Sequence, residues 1–488
     1  MGEEEPGREV TPESEACPKS PKPKKEKSTR PLLSYFPQWN RTQIIAITLT
    51  TLSLVSIFSV GRWYLLMGPL QEDNVISSNI YGGLGDESLG SFIQLEAGGL
   101  AFCGSTTSWG LGGHFPGTGG GTDMWLVRLD ENANLLWNRT YGTPQEDSAS
   151  SVIECNNGGF SLLGITYANR SGDYDPDCLL VRLDENGNQI WNMTFGDTER
   201  EYPTSIVQCN DGGFAFTGSI VNYSVDQTDL WLVRTDSAGN LLWNHTYECD
   251  RTQEGASLIQ TESGFLLFTT GAWYSTSIDI TYNDAYLFCA DAYGNLLWNR
   301  TYDSGGHDYG FKIMPESDGS FTLACHTGPN QRGSDLWLIR INENGDILWQ
   351  TVVRLLGARA LDIIKCYDGG YAITGTYSLT SWFIHFNLYF ARTDTQGTVL
   401  WHRLYGFEEM PDIGVTLHQM NDGSFLIAGR TYLSLEPQNG EAWLLQIRDT
   451  PITYYTLTQF LLYGTLICLI TFIIFSALFI AQRRWLRS

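Results

Sequence analysis

Short segments of alternating or wholly apolar residues recur along most of this chain. One stretch contains four of them, at residues 151–155, 160–164, 178–184 and 189–196. The first two are joined by Asn156-Asn157-Gly158-Gly159 and the last two by Glu185-Asn186-Gly187-Asn188. Asparagine and glycine supply the positive φ of a short hairpin. The pattern therefore predicts two hairpins, or four antiparallel strands, in this stretch.

The fourth segment belongs to a phrase that repeats through the chain. LLWNRTYG at residues 135–142 returns five times in related form, at intervals of 51 to 55 residues. Its tryptophans are Trp137, Trp191, Trp243, Trp298, Trp349 and Trp401. A fixed period of this length indicates one supersecondary unit copied along the chain, and no copy buries its apolar face alone. Four antiparallel strands per copy predict the blade of a β-propeller.

The phase of the repeat predicts how the ring closes. Residues 74–82 align without a gap on residues 134–142, so the array begins with an isolated fourth strand. After the last tryptophan phrase the array continues through residues 422–425 and 443–445 and ends without a fourth strand. The fold class is therefore all-β: a seven-bladed β-propeller over residues 74–449, in which the N-terminal strand completes the last blade.

The repeat contains W-x-x-T-[YF]-G, then an acidic residue, D-G-G-[FY]-x-x-x-G and D-x-W-L-x-R-x-D. This pattern resembles the repeat β-propellers of prokaryotic cell-surface and secreted proteins, archaeal or bacterial, and covers most of residues 74–449. The resemblance implies a surface binding or scaffolding module. It implies no catalytic residue.

Two apolar runs flank the repeats. Residues 457–481 carry no charge and are long enough to cross about 30 Å of hydrocarbon, which predicts a transmembrane helix over 456–482. Residues 44–60 form a second run, extended by Trp63 and Tyr64, which predicts a transmembrane signal anchor over 43–67. A cleaved signal peptide is the alternative for this run, although the preceding segment is long and no A-x-A-like site follows. One or two transmembrane helices are thus expected.

Charge predicts the orientation. Basic residues cluster within 19–30 and 483–487, on the sides of the two runs away from the repeats, and such flanks mark the cytoplasmic side. We expect residues 1–42 to be a disordered cytoplasmic tail, 483–488 a basic cytoplasmic tail, and the propeller to lie outside the cell membrane. Acidic residues outnumber basic ones more than twofold between Gly68 and Thr450. This excess repels nucleic acid and anionic lipid headgroups. The expected partners are the lipid bilayer, through the two apolar runs, and an extracellular glycan or protein.

One acidic residue recurs near the first strand of nearly every blade. These candidate metal ligands are Glu87, Asp147, Glu201, Glu254, Asp308 and Asp412. The first strand is innermost in a propeller, so a ring of carboxylates at the channel mouth could hold Ca²⁺, the one cofactor considered. The alternative is that each carboxylate accepts hydrogen bonds at a blade junction.

Two further residue types, arginine and cysteine, recur at fixed positions of the repeat. Arginines at one position, namely Arg128, Arg182, Arg234, Arg340 and Arg392, suggest ion pairs or hydrogen bonds between blades. Cys155, Cys209 and Cys366 share another position, where neighbouring copies lie too far apart for a disulfide. Small buried thiols are therefore expected, with an occasional disulfide as the alternative.

Within residues 74–449, six asparagines begin N-x-[ST] sequons. Asn138, Asn192, Asn244 and Asn299 lie within the tryptophan phrase, and Asn169 and Asn222 lie in connections on the opposite side of the ring. An external location makes glycosylation chemically accessible. The alternative is that Thr suits a fourth strand and Asn an exposed position.

The irregular connections contain aromatic and histidine side chains suited to a sugar or a protein partner. The candidate ligand-binding residues are Trp109, His114, Tyr174, Trp273, Tyr274, Trp382 and His385. No H-E-x-x-H or G-x-S-x-G motif occurs. The sequence thus favours a membrane-anchored binding or scaffolding propeller without enzymatic activity. The alternative is a cell-surface enzyme that acts on glycans through loop carboxylates.

Overall fold

Twenty-eight strands form the part of the chain that the computed structural model describes. The described residues are 74–449 without 109–120, 171–172, 197–198, 223–226, 248–251, 276–279, 329–334, 356, 378–385, 408–410 and 433–439. Within them the strands assemble into seven four-stranded antiparallel sheets. The predicted all-β, seven-bladed propeller is confirmed.

Each blade takes four strands, from the innermost to the outermost. Blade 1 consists of β2 Glu87–Gln94, β3 Leu100–Thr106, β4 Asp123–Leu129 and β5 Leu135–Tyr141. Blade 2 consists of β6 Asp147–Glu154, β7 Phe160–Arg170, β8 Asp173–Leu183 and β9 Gln189–Phe195. Blade 3 consists of β10 Arg200–Gln208, β11 Phe214–Asn222, β12 Gln227–Thr235 and β13 Leu241–Tyr247. Blades 4 and 5 are β14 Thr252–Gln260, β15 Gly264–Ser275, β16 Ile280–Asp291, β17 Leu296–Tyr302; β18 His307–Pro315, β19 Phe321–Gly328, β20 Asp335–Ile341, β21 Ile347–Val353. Blades 6 and 7 are β22 Ala358–Lys365, β23 Tyr371–Tyr377, β24 Asn387–Thr393, β25 Val399–Tyr405; β26 Asp412–Gln419, β27 Phe425–Tyr432, β28 Gly440–Ile447 and the N-terminal β1 Val75–Tyr81.

The N-terminal strand closes the ring as predicted. β1 pairs antiparallel with β28, and the sheet order is β1-β28-β27-β26. In an unbroken turn such as that of blade 2, the amide of Asp184 donates to the carbonyl of Asn188 at 2.9 Å. Across the split turn of blade 7, the amide of Arg448 donates to the carbonyl of Asn74 at 2.8 Å. The two ends of the array therefore meet at one turn.

The tryptophan phrase connects each blade to the next. Trp137 packs edge-on against Phe160, with ring centroids 6.0 Å apart, and the hydroxyl of Tyr141 donates to the carbonyl of Gly187 at 2.7 Å. A Cβ on Gly187 would lie 2.8 Å from the Trp137 ring, and Gly187 has a φ of +76°. The Asn-Gly turn thus serves both the hairpin geometry and the docking of the preceding blade.

The recurring arginines bind mainly within their own blades, so the predicted contacts between blades are largely wrong. Arg182 donates to the carbonyls of Phe160 at 3.1 Å and Gly158 at 2.6 Å, both in blade 2. Arg234 likewise reaches Phe214 and Asp211 in blade 3. Arg392 also reaches Asp449 of blade 7, at 3.1 Å. The side chain runs across its own sheet because the first-to-second-strand turn there offers unpaired carbonyls.

The predicted buried thiols are confirmed for the described cysteines. Seven are free and buried: Cys103, Cys155, Cys178, Cys209, Cys289, Cys325 and Cys366. Burial raises the pKa of the Cys103 thiol to about 12. These thiols are therefore packing groups.

Both predicted transmembrane segments, 43–67 and 456–482, lie outside the described residues, as do the two predicted tails. Among residues 74–449 with the gaps given above, no helix is long and apolar enough to cross a membrane.

Candidate functional site

The two faces of the ring differ in what they carry. The first-to-second and third-to-fourth turns lie on one face, with Asn74 and Asp449, and we call it the tether face. The second-to-third hairpins and the connections between blades lie on the other, which we call the loop face. This division follows from the antiparallel order of the strands in every blade. A ligand site built from variable connections lies on the loop face.

The second and third strands of blades 2 and 4 are the longest of the described strands. β7 and β8 have 11 residues each, and β15 and β16 have 12 each. The corresponding strands of blade 1 have 7 each. The sequence predicted irregular connections here, but regular ladders run out to the pairs Arg170–Asp173 and Ser275–Ile280. Two ribbons, on either side of blade 3, therefore project from the loop face.

The projecting ribbons contain three of the seven predicted ligand-binding residues. Trp273 and Tyr274 lie in β15, opposite Tyr282 and Thr281, and Tyr174 lies in β8, opposite Asn169. The structure thus assigns two aromatic residues to one ribbon and the third to the other. The remaining four, Trp109, His114, Trp382 and His385, lie outside the described residues.

The recurring acids lie at the loop-face ends of the first strands, and they are buried. Glu87, Asp147, Glu201, Asp308 and Asp412 are each at most 2% exposed. The backbone of Glu254 lies in β14. Because the five side chains are covered, they lie within blade junctions and do not line an open channel mouth.

Several of the junction acids hold the connection that precedes them. Asp147 accepts from the amide of Thr143, Asp308 from that of Ser304 and Asp412 from that of Phe407, all at 2.7 Å. The second strand contributes as well, since the hydroxyl of Thr106 donates to Glu87 at 2.8 Å. These are the hydrogen bonds expected if the acids stabilise the blade junctions, which was the alternative to cation binding. Cation binding by the ring stays a prediction.

The repeat glycine that ends the tryptophan phrase makes room for these acids. A Cβ on Gly142 would lie 2.2 Å from Oδ2 of Asp147, and a Cβ on Gly406 would lie 2.3 Å from Oδ2 of Asp412. No side chain fits so close to a carboxylate oxygen. The glycine and the acid of the repeat are therefore one structural unit.

A second acid from the preceding blade faces several of these carboxyls. It lies in the third strand, at the position of the first aspartate of D-x-W-L-x-R-x-D, which the sequence motif quoted without assigning it to the site. Examples are Asp123, Asp177, Asp284 and Glu441. Burial, with a smaller contribution from the charge of Asp123, raises the pKa of Asp147 to about 6. Burial and the Glu87 carboxyl raise the pKa of Glu441 to about 7. Such pairs favour a shared proton or a bound cation.

The junction between blades 4 and 5 has three carboxylates. Asp303 replaces the repeat glycine and joins Asp284 and Asp308, with one oxygen of each within 4.8 Å of the others. Asp303 is exposed, and Asp308 is fully buried. Three carboxylates at this spacing match the oxygen ligands that Ca²⁺ prefers. The sequence signal for this cluster is the aspartate that stands in the glycine position of LLWNRTYD.

The sequons of the tryptophan phrase lie on outermost strands. Asn192, Asn244 and Asn299 are exposed, and Asn138 is partly exposed. The threonine of each sequon lies two residues further along, on the same face of the strand. Asn169 and Asn222 lie in β7 and β11, near the tips of second-to-third hairpins.

Comparison with known proteins assigns no family. No protein-family model and no curated protein matches the chain. Among solved structures, a protein of unknown function from Dyadobacter fermentans is 10% identical, with a TM-score of 0.44 over 77% of this chain and 99% of that one. The β-propeller domain of the Trilobed protease from Pyrococcus furiosus is 8% identical, at 0.43 over 73% and 93%. Drosophila Semaphorin 1b, extracellular domains 1-2, is 10% identical, at 0.42 over 78% and 88%. At these identities and TM-scores the likenesses support no conclusion about the fold or the activity of this chain.

Proposed function

We propose that this chain is a cell-surface propeller, tethered to the membrane, that binds an extracellular glycan or protein through its loop face. One observation carries the proposal. The first and last residues of the propeller meet at one turn of blade 7, where the amide of Arg448 donates to the carbonyl of Asn74. Both predicted membrane segments then connect to the tether face. The loop face, with its projecting ribbons, points away from the membrane.

The extended ribbons support a binding role for the loop face. Pairing in a ladder fixes the backbone of the ribbon residues, which lowers the conformational entropy lost when a ligand binds. Trp273 and Tyr274 in β15 and Tyr174 in β8 supply three aromatic residues in blades 2 and 4. Aromatic groups beside polar ones suit sugar rings and protein hot spots alike.

The geometry of the described acids does not favour the enzyme alternative. A glycosidase needs two carboxyls about 5 to 10 Å apart beside an open substrate cleft. The pairs Glu87 with Glu441 and Asp147 with Asp123 are at most 8% exposed. A sugar has no access to them in this conformation.

The proposal is tested with the full-length chain in lipid nanodiscs. We expect binding to a glycan array or to extracellular protein extract, without turnover. The double variant Trp273→Ala/Tyr274→Ala should lose at least tenfold in affinity, as for hot-spot aromatic residues. The control Tyr432→Ala, at the loop-face end of β27, should bind like the natural protein. Equal binding by all three proteins, or hydrolysis of a glycan, would refute the assignment.

We also propose glycosylation of the sequons in the outer strands. Exposure of the asparagine side chains and their position on edge strands support it. The expected result is a loss of mass on enzymatic or chemical deglycosylation. Replacement of Asn192, Asn244 and Asn299 by Gln should remove that loss in steps, and an unchanged mass of the natural protein would contradict the proposal.

A further inference from the structure

The two ends of the propeller lie in a turn whose backbone is not continuous. Asn74 and Asp449 occupy the third-to-fourth turn of blade 7, and the pair Val75–Ile447 lies next to it in the β1–β28 ladder. A force that draws the two ends apart breaks the bonds of this ladder one after another, because a single bond carries the load at each moment. Closure by backbone pairing alone is therefore weak against such a force.

Membrane tethering, as proposed above, applies this force. The predicted segments 43–67 and 456–482 connect to Asn74 and Asp449, so any lateral separation of the two helices draws these residues apart. The load on β1 therefore depends on the proposed tethering, whereas the contacts at the turn do not. A lock at the turn would keep β1 paired with β28 under this load.

Blade 6 binds the C-terminal end of the array through both carboxylate oxygens of Asp449. Nε of Arg392 donates to Oδ2 at 3.1 Å, and Nε1 of Trp401 donates to Oδ1 at 3.2 Å. Both donors are buried, whereas the other five repeated tryptophans are partly exposed. Bonds to a charged acceptor are stronger than neutral ones. The last residue of the propeller is thus fixed to blade 6.

Blade 6 also binds the N-terminal end. The side-chain amide of Asn74 donates to the hydroxyl of Tyr405 at 2.7 Å, and both groups are buried. In a continuous junction the equivalent tyrosine instead donates to a turn carbonyl, as Tyr141 does to Gly187. Since the amide of Arg448 also donates to the carbonyl of Asn74, the two ends are held to each other and to the same blade.

Arg392 differs from the other recurring arginines in reaching the next blade. Arg392 and Arg234 share their contacts within their own blades, because each donates to the backbone of its second strand and to the aspartate of its first turn. Arg392 then adds the bond to Asp449 and lies over the ring of Phe425, at 5.4 Å from its centroid. Among the described residues, no other arginine at this repeat position forms a hydrogen bond to another blade. The additional contacts occur where the turn is split.

We propose that blade 6 clamps both tethers where they leave the propeller, so that movement of the membrane helices does not peel β1 from β28. Asn74 and Asp449 are the clamped residues, and Arg392, Trp401 and Tyr405 form the clamp. These side-chain bonds lie at the turn, so they must break before the first backbone bond of the ladder is loaded. The load of the tethers thus passes into the sheet of blade 6.

Magnetic tweezers on the detergent-solubilised full-length chain apply this load directly. Handles are attached at Gln71→Cys and Thr453→Cys, with Cys17 and Cys468 replaced by Ser. Arg392→Met should shorten the lifetime of the closed ring at constant force at least tenfold, because hydrogen bonds to a charged group are lost. A lifetime equal to that of the natural clamp would overturn the proposal.

The matched control is Arg234→Met, which removes the same contacts within blade 3 and none across a junction. It should leave the lifetime of the closed ring unchanged, and circular dichroism checks the fold of both variants. The aspartate partners of the two arginines are at least 30% exposed, so neither variant leaves a buried unpaired charge. Equal shortening by both variants would show that blade 6 has no special role.

Asp449→Ala provides an independent measurement. It should also shorten the lifetime at least tenfold, and adding Arg392→Met should change it by less than about twofold, because both changes remove the same bond. Losses that multiply would contradict the clamp. Alkaline extraction of membranes reports separately on tethering, since a chain that is extracted refutes the tether and leaves the lifetimes to judge the clamp.

Discussion

A glycine and a carboxyl form the residue-scale unit at most of the described junctions. Gly142 leaves the space that Asp147 fills, and Asp147 then holds the amide of Thr143. Because the carboxyl is buried beside a second acid, its pKa rises toward neutrality. Burial thus makes this structural carboxyl a group that titrates near physiological pH, although its hydrogen bonds with Thr143 and Thr166 lower its pKa.

The junction acids should make the folded state more stable at mildly acidic pH. Burial raises the pKa of Asp147 and Asp412 to about 6, so between about pH 4 and 7 the folded protein binds more protons than the unfolded chain. The free energy of unfolding therefore falls as pH rises through this window. Asp147→Asn removes one such group. Between pH 5 and 7.5 the free energy of unfolding of the variant should therefore fall by about 1.4 kcal/mol less than that of the natural protein.

Urea denaturation of the natural protein and the variant at both pH values measures the difference. Burial lowers the pKa of His326 to about 3, so this residue makes the free energy of unfolding rise with pH. Its contribution is the same in the natural protein and the variant and cancels in the difference between them. The exposed Asp422, whose pKa is lowered by the Ser424 hydroxyl and amide, provides the control Asp422→Asn. Its profile between pH 5 and 7.5 should parallel that of the natural protein. A parallel profile for Asp147→Asn would contradict the assignment.

The three-carboxylate junction should bind Ca²⁺ if the predicted cation site exists. Millimolar Ca²⁺ should raise the melting temperature of the natural protein, and EDTA should reverse the shift, because ligands that bind only the folded state stabilise it. Asp303→Gly restores the glycine of the other repeats and should abolish the shift while preserving the fold. Glu262→Gln, an exposed acid in another turn, should keep it. An unchanged melting temperature of the natural protein in Ca²⁺ would refute the predicted cation site.

At the scale of the element, a blade is incomplete without its neighbour. The tryptophan and tyrosine of one blade dock on the third-to-fourth turn of the next, as Trp243 and Tyr247 do on Gly294. The phrase therefore recurs because most junctions use this contact. This dependence is the physical reason that the repeat period was visible in the sequence.

Loss of one docking tryptophan should destabilise a whole junction. Trp243 packs against Phe265, with centroids 6.0 Å apart, and covers the Gly294 turn. Trp243→Ala should lower the free energy of unfolding by about 2–4 kcal/mol, somewhat less than for a fully buried aromatic residue. Leu242→Ala is the adjacent control, and because Leu242 is exposed it should cost less than about 0.5 kcal/mol. Similar melting curves for the two variants would show that Trp243 does not hold the junction.

At the scale of the molecule, the sequence predicted the repeated blades and their closing strand, but it did not predict which side chains meet between blades. The phase of residues 74–82 predicted the closing strand, because each blade is encoded by one local pattern. The acid pairs were not predicted, since Glu87 and Glu441 come from distant segments that only ring closure brings together. The arginines were placed between blades because recurrence does not reveal the direction of a side chain. The projecting ribbons were missed because their residues depart from the repeat.

Closure by β1 makes one further prediction for the whole ring. Ser77 and Gln446 are paired across β1 and β28, so the double variant Ser77→Cys/Gln446→Cys should form a disulfide that closes the entire ring. Ser88 and Ser105 are paired across β2 and β3, and the matching double variant closes a single hairpin. Loop-closure entropy predicts that the ring disulfide raises the free energy of unfolding by up to about 3 kcal/mol more than the hairpin disulfide. Melting curves with and without reductant measure both gains, and a larger gain from the hairpin would mean that β1 is not what holds the ring closed.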